Sequence, residues 1–224
     1  MKIMQSMMAA TVAILSLSNC SKSGSDDTAA SMQFQLTTSN PTVAVNKVTG
    51  GTIVWSSGTA YATETKFEAK RNGSEIEYKS ATPQLVNLFS SVITGLGNIS
   101  LPAGTYTEVE YRISLNQNGS TPAMELNGQY TSSTGAVTPV VFDVNNLLLI
   151  KAEQNNVAVS AGISLSALTT LDLSFVSSGI TQAMMNSATL SSGKIIISAS
   201  SNTALYNIMI NNLAQFHHVD VTHH

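Results

Sequence analysis

Cysteine is almost absent from this chain: Cys20 stands alone in 224 residues, and one thiol cannot close an intramolecular disulfide. Charge is also scarce. Asp, Glu, Lys and Arg make up 10% of the sequence, where about 25% is ordinary. Between Glu153 and Asp220 only Asp172 and Lys194 are charged. The few charges lean acidic, ten basic against thirteen acidic residues, which argues against nucleic acid or an anionic membrane surface as partner. Histidine is missing from the body of the chain. His217, His218, His223 and His224 all fall in the last eight residues, so a Ser-His-Asp or Cys-His nucleophilic site would have to recruit the tail. There is no Cys/His zinc spacing, no Gly-rich phosphate loop opening a helix and no calcium loop of the EF-hand type. These absences lead us to expect no catalytic residues, no metal and no cofactor.

What is present begins with an address. Lys2 and the amino terminus precede a mostly apolar run from Ile3 to Leu17. That run is shorter than the roughly 20 residues that span a bilayer and has the length of a signal-peptide core. Leu17-Ser18-Asn19-Cys20 then resembles the bacterial lipobox, in which the cysteine is acylated and becomes the mature N-terminus; Asn19 stands where Gly, Ala or Ser is usual. We read residues 1–19 as a signal peptide and residues 20–31 as the lipidated Cys20 with a polar tether. The tether is Ser-, Gly- and Asp-rich and too polar to build a core. Its Ser25-Asp26-Asp27 cluster is similar to the surface-export signal of Bacteroidetes-type lipoproteins. Processing would leave 205 residues, enough for one sizeable domain, read here as residues 32–224.

Within that domain the hydrophobic period is two. Met32 to Leu36, Thr52 to Trp55 and Ala60 to Arg71 alternate as half-buried strands do. Asn72-Gly73 separates two alternating runs, a strong hairpin signal. Counting outward pairs Phe67 with Tyr78 and Ala69 with Ile76 on an apolar face, and Lys70 with Glu75 on the other. Asn118-Gly119 suggests a second hairpin, pairing Ile113 with Met124, Tyr111 with Leu126 and Arg112 with Glu125. Further strands are expected over Val137–Val144, Leu147–Lys151, Val157–Ala161, Thr170–Val176 and Lys194–Ala199. Three segments have helical spacing instead: Pro83 to Leu96, with Gly95-Leu96-Gly97 as its stop, Ile180 to Ala188, and a last helix capped by Asn202. The fold class is therefore mainly β: an antiparallel β-sandwich with two short inserted helices and a C-terminal helix.

One stretch carries a resemblance. Phe67 to Tyr78, then a short Leu-rich helix, then Leu101-Pro102-Ala103-Gly104-Thr105-Tyr106 leading into Tyr111 resemble, in that order, uncharacterised Bacteroidetes-type surface lipoproteins with a domain of unknown function. The likeness covers residues 50–176 in order and character. It implies a transthyretin-like or carbohydrate-binding-like β-sandwich and brings no catalytic residues. Pro102 and Gly104 supply the turn into a strand, with Tyr106 anchoring the corner.

Candidate chemistry is sparse. Glu64, Glu68, Glu75, Glu77, Glu108 and Glu110 are numerous enough for a glycosidase-like pair, but they occupy solvent-face positions beside lysines and arginines. Tyr61, Tyr106 and Tyr130 are the candidates for a sugar-stacking platform, whereas Trp55, Tyr78 and Tyr111 read as core. The tail HHVDVTHH reads as a frayed terminus. The function expected is a non-enzymatic cell-envelope lipoprotein, a structural or adhesive surface module. A lipoprotein binding glycan or a small ligand is the alternative, and a hydrolase stands behind both. Its partners would be the lipid bilayer through N-terminal acyl chains, and a glycan or surface protein. Its place would be the outer membrane at the cell surface, or a periplasm-facing orientation.

Overall fold

A computed structural model describes residues 29–45, 50–81, 83–216 and 219–223. Cys20, the signal segment and the tether up to residue 28 lie outside the described residues, as do His217, His218 and His224. The first half of the chain runs β1 (Ala30–Ser39), β2 (Thr42–Ala44), β3 (Thr52–Arg71), β4 (Ser74–Ser80), β5 (Gln84–Asn87) and β6 (Gly95–Leu101). The middle runs β7 (Gly104–Leu115), β8 (Met124–Thr131), β9 (Val137–Val144), β10 (Leu148–Gln154), β11 (Val157–Val159) and β12 (Ser164–Asp172). The remainder is α1 (Leu173–Val176), α2 (Gln182–Asn186), β13 (Leu190–Ser191), β14 (Lys194–Ile197), α3 (Thr203–Ala214) and β15 (Val219–His223). No helix among the described residues is long and apolar enough to cross a membrane.

The strands form a four-stranded sheet, ordered β15-β12-β1-β6, and an eleven-stranded sheet built around β3. Two pairings, β1 with β12 and β9 with β14, are parallel; the other named pairings are antiparallel. Alternation along each strand sends one face inward. On β1 the buried positions are Ala30, Met32, Phe34 and Leu36. Phe34 meets Tyr111 of β7 edge-on, with ring centroids 6.2 Å apart, which seats the small sheet against the large one. The buried side chains of both sheets make one contiguous core, as expected for a β-sandwich.

The Asn72-Gly73 hairpin has the register counted from its turn, with Phe67 opposite Tyr78, Ala69 opposite Ile76 and Lys70 opposite Glu75. The second hairpin does not exist. β7 and β8 do not pair with each other; both pair with β3, β7 along residues 62–70 and β8 along residues 52–60. The backbone of Tyr61 joins them: its N–H donates to the Ala123 carbonyl at 2.9 Å and its carbonyl accepts from the Asn116 N–H at 3.1 Å. Both groups of one strand residue point to the same edge, so β7 and β8 lie in line along that edge. Asn118-Gly119 is only the tip of the loop between them, closed by a bridge from Asn118 to Thr121. Ile113 faces Thr65, and Met124 faces Ala60. A 20-residue strand offers more pairing than a local hairpin, and it wins.

The helix expected over Pro83 to Leu96 is absent. Its first residues form β5, which extends the edge begun by β4, and Gly95 to Gly97 open β6 instead of stopping a helix. The burial follows the strand period: Val86 and Leu88 are buried, while Leu85 and Val92 are exposed. Cross-strand pairing overrides the helical spacing. The additional short helix is α1, inside the segment expected as strand up to Val176. Asp172 makes it, because its Oδ1 accepts from the Ser174 N–H, the Ser174 hydroxyl and the Phe175 N–H. α2 and α3 fall where expected. Asn202 precedes α3 in the left-handed region at φ 50° and does not cap it. Its side chain instead donates to the Thr189 and Ile196 carbonyls and accepts from the Thr189 N–H, tying the approach to β13 onto β14. Nor are the described residues of the tail frayed: Val219 to His223 add β15 to the edge of β12.

Candidate functional site

The outer face of the large sheet carries most of the charge, and it is ordered in rows. Lys79, Lys66, Arg112 and Lys151 lie side by side across β4, β3, β7 and β10. The next row outward in register is Glu77, Glu68, Glu110 and Glu153. Like charges are therefore neighbours across the strands, and relief comes along and diagonal to them. Lys66 reaches Glu68 at 2.5 Å and Glu77 at 2.8 Å, Arg112 lies 3.8–3.9 Å from Glu110 and Glu68, and Lys151 is 3.3 Å from Glu110. Glu108 projects from a bulge at φ 50° to pair with Lys70 at 2.5 Å. The Lys66 ammonium beside Glu68 holds that carboxyl below the usual range, so it stays ionised near neutral pH and is no proton donor. A paired, solvated face is what this surface offers. No group of three or more His, Cys, Asp or Glu among the described residues is placed to hold a metal.

Of the tyrosines expected to stack sugars, two are inside. Tyr106 is fully buried, its hydroxyl donating to the Pro102 carbonyl. The corner it anchors is tight. Arg71 donates to the Ala103 carbonyl and stacks over the Tyr106 ring, and a Cβ on Gly104 would lie 2.7 Å from the Arg71 Nε. Tyr130 is also buried, donating to Asn186 Oδ1 at 2.8 Å. Both serve as core-to-loop anchors, and Tyr130, though buried, borders a cleft with Ser132, Thr134 and Asn186. Tyr61 is half-buried on β3. Trp55 is core as expected, its indole N–H donating to the Ser177 hydroxyl at 3.2 Å.

The small sheet differs in chemistry. Its four strands contain no Lys, Arg or Glu, and their only carboxylates are Asp172 and Asp220. Gln33 and Gln35 alternate with buried Met32, Phe34 and Leu36, so they stand on the outer face, and the Gln35 amide donates to Gln33 at 3.3 Å. Gln33 lies across Gly95, where a Cβ would come within 2.2 Å of its Nε2. At one end of this face opens a groove of about 510 Å³. Ser39, Thr170, Asp172 and Asp220 line it from the sheet, Phe175 from α1, and Gln215 and Phe216 from the close of α3. Phe175 is 38% exposed and is the ring a ligand would meet; Phe216 is buried. Burial pushes the Asp172 carboxyl up, but hydrogen bonds from the Ser174 hydroxyl, Asn40 and the Ser174 and Phe175 N–H groups outweigh it and hold it below its ordinary value.

Comparison with protein-family models, with curated proteins and with solved structures finds no match to this chain. The groove was not among the sequence-derived candidates. Its lining comes from three distant stretches, and Phe175 lay in a segment read as strand. The available signal was the run from residue 154 to residue 219 with only two charged residues, which includes most of the groove.

Proposed function

We propose that this protein is a lipid-anchored, non-enzymatic module of the cell envelope that makes contacts through the end of its sandwich. The observation that carries this reading is the direction of β1. The strand starts ten residues after Cys20 and runs the length of the small sheet to Ser39, a rim residue of the groove. Nine residue steps at about 3.3 Å separate the tether's point of attachment from the groove by roughly 30 Å. The groove therefore lies at the opposite end of β1 from the residue where the tether joins the domain. Diacyl or triacyl attachment holds where one chain would not, and the polar tether gives the domain reach.

The ion pairing of Glu68, Glu77 and Glu110 supports a non-catalytic role, since a general acid needs a carboxyl that keeps its proton at working pH. Labelled palmitate should enter the wild-type protein and not Cys20→Ser, and protease treatment of intact cells should release the domain. Lack of label in the wild type removes the anchor. Protection until lysis makes the domain periplasm-facing. Reproducible hydrolase activity that disappears on changing one carboxylate overturns the non-enzymatic reading.

A further inference from the structure

The geometry points to the Phe175 groove as a binding site for an uncharged polyhydroxylated ligand, a neutral saccharide. This rests on the contact role proposed above and names its ligand class. Four observations converge. The groove has the volume of a small-ligand site, about 510 Å³, within the usual range of roughly 300–1,000 Å³. It joins one accessible aromatic ring, Phe175, to a ring of short polar groups: the Ser39 and Thr170 hydroxyls, the Gln215 amide and the Asp172 carboxylate. A pyranose has this same division, an apolar face of C–H groups and an equator of hydroxyls that both donate and accept.

The charges then select among ligands. No lysine or arginine lies on any strand of the small sheet, and His223 of β15 pairs with Leu165 at the other end of β12, so a phosphate, sulfate or uronate would sit beside carboxylates with no cation among the described lining residues to receive it. A cationic peptide is the other candidate. Asp172, one of the two carboxylates lining the groove, is poorly suited to it, because its Oδ1 is already spent on three donors of α1. Beyond the groove the outer face continues with Gln33 and Gln35. Those amides could follow a chain of sugar units along β1, so an oligosaccharide suits the site better than a monosaccharide.

The test uses the intact, detergent-solubilised protein with cellohexaose, maltohexaose and mannohexaose, within an array of neutral oligosaccharides. Polygalacturonate fragments and oligolysine serve as charged controls, and circular dichroism checks each variant's fold. At least one neutral oligosaccharide should bind. Phe175→Ala should weaken it about tenfold or more, equivalent to about 1.4 kcal/mol, while Phe175→Trp keeps it. Thr170→Lys, which puts a cation and a long stem into the groove, should abolish it. Binding of only the acidic fragments or only oligolysine overturns the proposal. So does the absence of any neutral binder from folded wild type, or neutral binding indifferent to Phe175→Ala. None of these results touches palmitate labelling or surface release, so failure here is separable from failure of the anchored-module reading.

Discussion

Phe67 is the residue whose removal should most clearly expose how the sandwich is held. Its side chain is fully buried. Its ring meets Tyr106 at 5.4 Å and 88°, and Tyr111 at 5.5 Å and 78°, two edge-to-face contacts; Tyr111 in turn meets Phe34 of the small sheet. Truncating a buried Phe to Ala costs about 3–5 kcal/mol, a large share of a total stability of roughly 5–15 kcal/mol. Phe67→Leu keeps most of the apolar burial and loses the two ring contacts, each worth about 0.5–1.5 kcal/mol, so it should cost about 1–3 kcal/mol. For a domain of this size each kcal/mol lowers Tm by about 2–4 °C. Phe67→Ala should therefore melt about 6–20 °C below wild type, and Phe67→Leu should fall between. Tyr111→Phe is the control. The Tyr111 hydroxyl is buried with no hydrogen-bond partner among the described residues, and burial pushes its pKa up. Removing an unsatisfied hydroxyl while keeping the ring should be neutral or stabilising. Urea unfolding and thermal circular dichroism measure all three. A loss below about 1 kcal/mol for Phe67→Ala, or equal losses for Ala and Leu, refutes the assignment of the aromatic cluster as the joint between sheets.

Two further outcomes follow from named groups. The Asp172 carboxyl is held below its ordinary 3.8 in the folded protein, so its contribution is full above that value and is lost as pH falls through the folded value; stability profiles from pH 2 to pH 5 should therefore fall less steeply for Asp172→Asn than for wild type, and parallel profiles count against the linkage. Doubling the eight-residue loop between Leu115 and Met124 by inserting eight residues after Gly119 should cost only about 0.6 kcal/mol, whereas the same insertion between Asn72 and Gly73 should cost several times more; equal urea midpoints contradict the in-line placement of β7 and β8.

Local chemistry sufficed for several elements because the forces involved act within a few residues. Alternating burial is a property of a strand's own geometry, so Val137–Val144 could be read to the residue. The Asn72-Gly73 turn leaves its flanking strands no choice of partner, and the register follows by counting. Pro102, Gly104 and Tyr106 build their corner among themselves and one arginine. Asn118-Gly119 bears the same turn chemistry, yet its strands pair elsewhere. A strand has two edges, and alternation along its length says nothing about which edge finds which partner. The free edge of β3, offered at the right distance, decided that. Pairing with β3 likewise turned the helical spacing after Pro83 into β5, and pairing with β12 made Val219 to His223 a strand.

The groove lies furthest from what the chain could disclose by itself. Sequence determined that the small sheet's strands would carry amides and hydroxyls with almost no charge. Only the tertiary structure brought Ser39, Thr170, Phe175, Gln215 and Asp220 to one rim. Concavity arises from how a helix end, a turn and a sheet end meet, and that meeting is settled by burial of the common core, not by any local preference of the residues that line it.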